Sequence, residues 1–167
     1  GESQDYSFFV DMWWGEGSVS VNREIETPTP YSVDDVIKDG VFLSLPEVEL
    51  IIRRLETKRN VILQGAPGVG KTFVTRKLAY ALMGLKDDGK ITTIQLHPSY
   101  SYEDFVRGYR PTDEAGRFEM RDGPFLRICE TAYGDPDNRY VMIIDEINRG
   151  NLSQVFGEMF SLLESDK

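Results

Sequence analysis

The sequence feature that most constrains this chain is the run at 65–72, Gly-Ala-Pro-Gly-Val-Gly-Lys-Thr, which matches G-x-x-x-x-G-K-[ST] at every fixed position. A short apolar segment at 60–64 comes before it and predicts a buried strand. A helical pattern at 71–83, ended by Gly84, comes after it. Strand, glycine loop and helix together let several backbone N–H groups converge on phosphate oxygens. We therefore predict a phosphate-binding loop here.

Each residue type in this loop has a physical role toward a nucleoside triphosphate, either ATP or GTP. The glycines allow positive φ angles and a close approach of the backbone, and Lys71 brings a mobile positive charge to the β- and γ-phosphates. Thr72 offers a hydroxyl oxygen to Mg²⁺, which we expect as the cofactor. The residues predicted to bind the nucleotide are Gly65, Ala66, Pro67, Gly68, Val69, Gly70, Lys71, Thr72 and Phe73. The alternative, an ordinary glycine turn, leaves the Lys-Thr pair unexplained.

A second element combines four apolar residues at 141–144 with the adjacent carboxylates Asp145 and Glu146. We expect Asp145, at the tip of a strand, to hold Mg²⁺ through water. Glu146 is expected to orient and deprotonate the attacking water. The predicted metal ligands are thus Thr72 and Asp145, and the predicted catalytic residues are Glu146, Lys71 and Asn148. The alternative is that the two carboxylates only form a turn.

Strand and helix patterns alternate along the chain, which predicts an α/β fold with a parallel sheet. Ser32 with Asp35, and Ser44 with Glu47, are capping signatures for two early helices. Further strands are expected at 91–97 and 140–145, further helices at 103–106, 124–133 and 151–164, and a turn or hairpin at 113–116.

Composition excludes several classes of protein. The formal net charge is −9, so charge alone gives the chain no reason to bind DNA or an anionic membrane. Cys129 and His97 are the one cysteine and the one histidine, which rules out a disulfide framework and a cysteine-based zinc site. No apolar run approaches the roughly 20 residues of a membrane span. We expect a soluble, cytoplasmic protein without membrane contact.

Three separated blocks carry a resemblance to a known family. The loop at 65–72, the stretch at 97–111 and the stretch at 145–158 together resemble the AAA+ NTPase domain of McrB-type restriction proteins, in the same order. The resemblance covers roughly residues 31–167, which would be the N-terminal part of such a domain. Residues 1–30 match no family, and we interpret them as a linker or the tail of a preceding domain. A disordered acidic leader is the alternative.

The resemblance implies a P-loop NTPase with a three-layer αβα core, Mg²⁺-dependent hydrolysis of GTP or ATP, and assembly of the full-length protein into a hexameric ring. It also implies a McrC-like nuclease subunit as partner, with DNA contacted through the complex. Asn148 and Arg149 would lie beside the γ-phosphate or at the subunit seam, or else serve as a helix cap and a surface base. The rival functions are an ATP-driven protein remodeller and a nucleotide-binding scaffold without turnover.

The resemblance also implies that the polar sensor strand, the arginine finger and the helical lid lie outside this sequence. In such folds the sensor strand lies between the strands at 61–63 and 141–144, so we expect both strands to present unpaired edges. We expect the 167-residue chain by itself to bind nucleotide weakly, to hydrolyse little and to aggregate.

The segment after the second strand mixes aromatic and basic side chains, which permits stacking on a nucleic-acid strand. The residues in question are Tyr100, Tyr102, Arg107, Tyr109 and Arg110. Six acidic residues at 101–122 outnumber the four arginines there, which favours a packed, subunit-facing loop over a pore or DNA contact.

Several other single residues have two alternative roles or a role suggested by the resemblance. We favour a hydrogen-bonded structural role for His97 over a catalytic one, and a core position for Cys129 over a nucleophile. Trp13 and Trp14 are interpreted as remnants of an upstream fold rather than a ligand cage. Val41 and Phe42 are candidate neighbours of the nucleotide base, by resemblance.

Overall fold

The computed structural model describes residues 5–12, 28–66, 68–114 and 116–159, with backbone only for 5–12 and 158. Its strands are β1 Asp5–Met12, β2 Thr29–Pro30, β3 Asn60–Gly65, β4 Leu85–Lys86, β5 Ile91–Gln95, β6 Arg107–Pro111, β7 Phe118–Asp122 and β8 Tyr140–Asp145. Its helices are α1 Val33–Lys38, α2 Leu45–Lys58, α3 Lys71–Met83, α4 Tyr102–Phe105, α5 Pro124–Tyr133 and α6 Leu152–Phe156. Three 3₁₀ turns cover Asp88–Lys90, Ile147–Arg149 and Gly157–Met159.

The first two helices begin where their capping residues predicted. The Ser32 and Ser44 backbone N–H groups donate to Asp35 and Glu47 at 2.9 and 2.8 Å, and each serine hydroxyl completes a capping box. Such reciprocal bonds satisfy backbone groups that have no partner inside the helix. Helix α3 ends at Gly84, whose φ of +74° is the left-handed conformation that glycine tolerates.

The main sheet has the strand order β3-β1-β8-β5. β5 pairs parallel with β8, while β1 pairs antiparallel with both β3 and β8. Because β1 reverses direction between them, β3 runs the same way as β8 and β5. The prediction of parallel central strands is therefore confirmed, with one antiparallel strand inserted.

The expectation that β3 and β8 would present unpaired edges toward each other was wrong. The backbone of β1 occupies that position, with Phe8 opposite both Ile62 of β3 and Ile144 of β8. Buried N–H and C=O groups need partners, and β1 supplies them for both strands. Most of the segment 1–30, including Trp13 and Trp14, lies outside the described residues. That this segment is a linker or the tail of a preceding domain, separate from residues 31–167, stays a proposal.

Helices cover both faces of the sheet, which gives the three-layer core that was predicted. β8 is buried on both sides: Val141 and Ile143 pack with residues of α1, α2 and α3, whereas Met142 and Ile144 pack with residues of α4, α5 and α6. Continuous burial of this kind is typical of a central strand in an α/β fold. Among the described residues, no helix combines the length and the apolar character needed to cross a bilayer.

Several elements differ from the predictions. β5 ends at Gln95, two residues before His97. Helix α6 ends at Phe156 and is followed by a 3₁₀ turn, and the remainder of the predicted helix beyond 159 lies outside the described residues. The short ladder between β2 and β4 was not predicted, because Pro30 argues against a strand; here Pro30 lies opposite Leu85 in a two-residue pairing.

Candidate nucleotide-binding site

The glycine loop connects the end of β3 to the start of α3. Gly68 and Gly70 have φ angles of +76° and +80°, in the left-handed region that side chains with a Cβ rarely adopt. Gly70 is the N-cap of α3, and its carbonyl accepts from the Val74 N–H at 3.0 Å. The loop thus leads directly into the positive end of a helix dipole, which favours a bound anion.

Lys71 reaches back across this loop. Its Nζ donates to the carbonyl oxygens of Gly65 and Ala66, at 3.1 and 2.7 Å. Phosphate oxygens are stronger acceptors for an ammonium group than these neutral carbonyl oxygens. Pro67, also predicted to bind nucleotide, lies outside the described residues.

The tip of β8 lies next to the start of α3. Thr72 Oγ1 is 3.5 Å from Asp145 Oδ2. Mg²⁺ prefers oxygen ligands and keeps several of its waters, so a hydroxyl that binds the ion directly and a carboxylate that holds it through water must lie close together, as this pair does. The sequence predicted these two residues as the metal ligands, and the structure places them together.

Glu146 immediately follows Asp145 and has left-handed backbone angles, φ +55° and ψ +39°. For a residue other than glycine this conformation is uncommon, and it turns the chain sharply into the Ile147–Arg149 turn. Arg149 Nε donates to Glu146 Oε2 at 2.6 Å. The proposed base and metal ligand therefore stand side by side at the end of one strand.

Comparisons with known proteins agree with this geometry. Residues 60–167 match the family model described as "AAA domain (dynein-related subfamily)". The chain belongs to this AAA domain family. Its fold is accordingly that of the P-loop NTPases, and the McrB-like resemblance is confirmed by the relatives below.

This AAA domain has relatives in two restriction systems. It is 50% identical over 137 residues to the Type IV methyl-directed restriction enzyme EcoKMcrB subunit of Escherichia coli K12, covering 82% of this chain and 29% of that protein. It is 30% identical over 133 residues to the Type II restriction enzyme BsuMI component YdiS of Bacillus subtilis 168, covering 65% of this chain and 38% of that protein. A third relative is the putative chloroplastic chaperone protein ClpB2 of Arabidopsis thaliana, 36% identical over 101 residues, 60% of this chain and 15% of that protein. The chain thus spans well under half the length of these relatives.

The other residues predicted to be near the nucleotide are exposed, with the exception of Val41. Val69 and Phe73 are 43% and 47% exposed. Asn148 is exposed within the turn after Glu146. Of the two candidate neighbours of the base, Val41 is buried in the core, whereas Phe42 is 68% exposed and available to a ligand.

The predicted hairpin is present as β6 and β7, and its arginines are paired with acidic residues. Arg107 donates to Asp122, and Arg110 donates to Asp104. Tyr109 is exposed on the same hairpin. Arg107 and Arg110 are thus each paired with a carboxylate, and the choice of a packed, subunit-facing loop over a pore or DNA contact stays a prediction.

His97 and Cys129 lie at different depths in the fold. His97 is exposed, and its Nδ1 lies 3.0 Å from Ser99 Oγ, so it is hydrogen-bonded as predicted although it is not in the core. Cys129 is half-buried against the α5 side of the core. Burial, with a smaller contribution from Glu130, raises the pKa of its thiol, which disfavours a nucleophilic thiolate.

Sequence reasoning missed two charged pairs near the site. One is the contact of Arg149 with Glu146, which an i, i+3 spacing of opposite charges could have suggested. The other is Lys77, whose Nζ lies 2.5 Å from Asp39 Oδ2 and 5.3 Å from the Phe73 ring centroid. No sequence signal predicts that second contact, because it joins α3 to the end of α1.

Proposed function

We propose that this AAA domain binds a nucleoside triphosphate, GTP or ATP, together with Mg²⁺, and hydrolyses it as the motor module of a restriction system. The observation that best supports this proposal is the 3.5 Å approach of Thr72 to Asp145 directly behind a glycine loop that carries Lys71. Phosphate cradle, cation and metal ligands converge there. Mg²⁺ bound at this point would neutralise charge on the β- and γ-phosphates.

The residues of the chain divide the work of hydrolysis between them. The backbone N–H groups of the loop and Lys71 hold the phosphates, so that the reaction is promoted by positioning and charge stabilisation. Thr72 and Asp145 would hold the metal, Asp145 through water. Glu146 accepts a proton from the attacking water, and Asn148 contributes at the γ-phosphate or the subunit seam.

The relatives support a role in restriction of DNA. The names of two of them refer to restriction enzymes, from Escherichia coli and Bacillus subtilis. We infer that the full-length protein forms a hexameric ring in the cytoplasm, drives a McrC-like nuclease subunit and contacts DNA through that complex. In this view residues 31–167 are the N-terminal part of the NTPase domain, and 1–30 are a linker or the tail of a preceding domain.

A protein-remodelling ATPase is the second candidate, since a chaperone is also among the relatives. It would use the same residues of the loop and of β8, so only the partner separates the two functions. Stimulation of turnover by a McrC-like nuclease subunit supports restriction. Stimulation by unfolded protein, with no response to the nuclease, would favour remodelling.

Substitution of Glu146 by glutamine tests the hydrolytic step. In the full-length protein we expect Glu146→Gln to retain triphosphate binding and to lose about 100-fold or more in turnover, as expected when a general base is removed. Glu49→Gln, an exposed carboxylate on α2, is the matched control and should turn over normally. Equal turnover of wild type and Glu146→Gln would overturn the proposal and leave a nucleotide-binding scaffold.

A further inference from the structure

The turn that follows β8 contains an ion pair between the proposed base and a neighbouring arginine. Arg149 Nε lies 2.6 Å from Glu146 Oε2, and the Arg149 backbone N–H also donates to the Glu146 carbonyl at 2.9 Å. Two hydrogen bonds therefore join the same two residues across a 3₁₀ turn. The turn and the side-chain pair form together, so loss of one weakens the other.

The two partners differ in their surroundings. The Glu146 side chain is 17% exposed, whereas the Arg149 side chain is 57% exposed. A carboxylate that is largely removed from water loses hydration and needs a fixed donor in exchange. Arg149 supplies that donor to Oε2, and this leaves the second carboxylate oxygen of Glu146 available to another hydrogen-bond donor.

The backbone explains why a side-chain restraint is useful at this position. Glu146 is in the left-handed conformation, between a buried strand and a turn that opens at the surface. A glutamate side chain has several rotamers, and a hydrogen bond to one of its carboxylate oxygens restricts them. A base held by a third group is the general arrangement by which enzymes fix a proton acceptor.

We propose that Arg149 is a positioning residue: it holds Oε2 of Glu146 so that the other carboxylate oxygen is directed at the attacking water. This inference rests on the proposed hydrolytic function. In this role Arg149 acts through Glu146 and does not contact the phosphates. It therefore affects the rate of the chemical step and leaves nucleotide affinity unchanged.

The test measures kcat and KM of the full-length protein for its triphosphate in Arg149→Met and Arg149→Lys. Arg149→Met removes the side-chain hydrogen bond to Glu146 at similar side-chain length and keeps the backbone one, and we expect kcat to fall about 10- to 100-fold while KM changes by less than about twofold. Arg149→Lys keeps a donor and a charge and should recover part of kcat. Arg117→Met removes a matched i, i+3 pair, Arg117 with Glu114 at 2.5 Å on the surface, and should leave both parameters unchanged.

A double-mutant cycle with Glu146→Gln separates this role from a merely structural one. Once the base is lost, its orientation has no further effect, so Glu146→Gln with Arg149→Met should be no slower than Glu146→Gln alone. Additive losses, a raised KM or an unchanged kcat in Arg149→Met would overturn the inference. If Glu146→Gln itself turns over normally, the proposed function fails and the inference falls with it, which is a different outcome.

Discussion

Thr72 and Asp145 lie 73 positions apart in the chain, yet the Thr72 hydroxyl oxygen is 3.5 Å from a carboxylate oxygen of Asp145. The contact arises because α3 starts at the carboxyl end of β3 while β8 ends at the same edge of the sheet. Residues at that edge come from separate loops and converge on one ligand, as in other open α/β folds.

Removal of the Thr72 hydroxyl should weaken the binding of Mg²⁺ at the site. Thr72→Val has nearly the same volume but offers no oxygen, so we expect the Mg²⁺ concentration needed for half-maximal turnover to rise about 10-fold or more. Thr72→Ser keeps the oxygen and should behave as wild type. Thr57→Val, which removes a hydroxyl bonded to the Arg53 carbonyl on α2, is the control. An unchanged Mg²⁺ requirement in Thr72→Val would contradict a metal site here.

Removal of the Lys71 charge should weaken triphosphate binding. Lys71 Nζ donates to the carbonyls of Gly65 and Ala66, and its charged hydrogen bonds to phosphate would be stronger than these. A loss of about 2 kcal/mol, or about 30-fold in Kd, is expected for Lys71→Met in a calorimetric titration. Lys38→Met, at an exposed ion pair with Asp35, should not change Kd. Equal affinities of the two variants would place the phosphates elsewhere.

Acid should remove the contribution of Asp39 to stability. Hydrogen bonds from Lys77 and Tyr31 lower the pKa of the Asp39 carboxyl in the folded chain. A carboxylate with a lowered pKa in the folded state stabilises the fold at pH values above about 4, the ordinary pKa of aspartate. This stabilisation is lost as the pH falls through the folded-state pKa. We therefore expect Asp39→Asn to lower Tm at pH 7.

The pH series supplies the check on this prediction. The difference in Tm between wild type and Asp39→Asn should shrink below pH 4 and vanish once Asp39 is protonated in the folded state. Asp137→Asn, at an exposed aspartate, should show no such trend. A Tm difference for Asp39→Asn that stays constant down to the acid end would mean that the ion pair with Lys77 is not the cause.

Loss of β1 should destabilise the sheet. Deletion of residues 1–12 removes the strand that pairs with β3 and β8 and leaves two facing edges without partners. We expect a lower Tm and increased light scattering on concentration. Deletion of residues 1–4 alone keeps β1 and is the matched control. Identical Tm and scattering for the two deletions would show that β1 contributes nothing to the sheet.

The sequence was sufficient to predict the elements whose signals are local. The capping boxes at Ser32 and Ser44, the loop before α3, and the buried run of β8 all depend on neighbours within a few residues. The same is true of the candidate site, because the loop motif and the paired carboxylates each follow a predicted strand. Because the carboxyl ends of parallel strands lie at one edge of the sheet, the two motifs alone are enough to predict that Thr72 and Asp145 lie close together.

Features that depend on long-range pairing could not be predicted in this way. The place of β1 between β3 and β8 is set by which edges lack partners, and no local pattern in residues 5–12 specifies it. Pro30 argued against a strand, although it lies opposite Leu85 in a two-residue ladder. Proline is tolerated in edge strands, and local propensity does not show which strands lie at an edge. The contact of Lys77 with Asp39 likewise follows from the packing of α1 on α3.

The central claim is that the loop at 65–72 binds nucleotide with Mg²⁺. It is tested by titrating the full-length protein with a fluorescent triphosphate analogue and then competing the analogue with unlabelled ATP and GTP. We predict saturable binding that Mg²⁺ strengthens, that one of the two nucleotides displaces, and that Lys71→Met weakens. Absence of saturable binding at millimolar triphosphate, with Mg²⁺ present, would contradict the claim that this loop binds nucleotide.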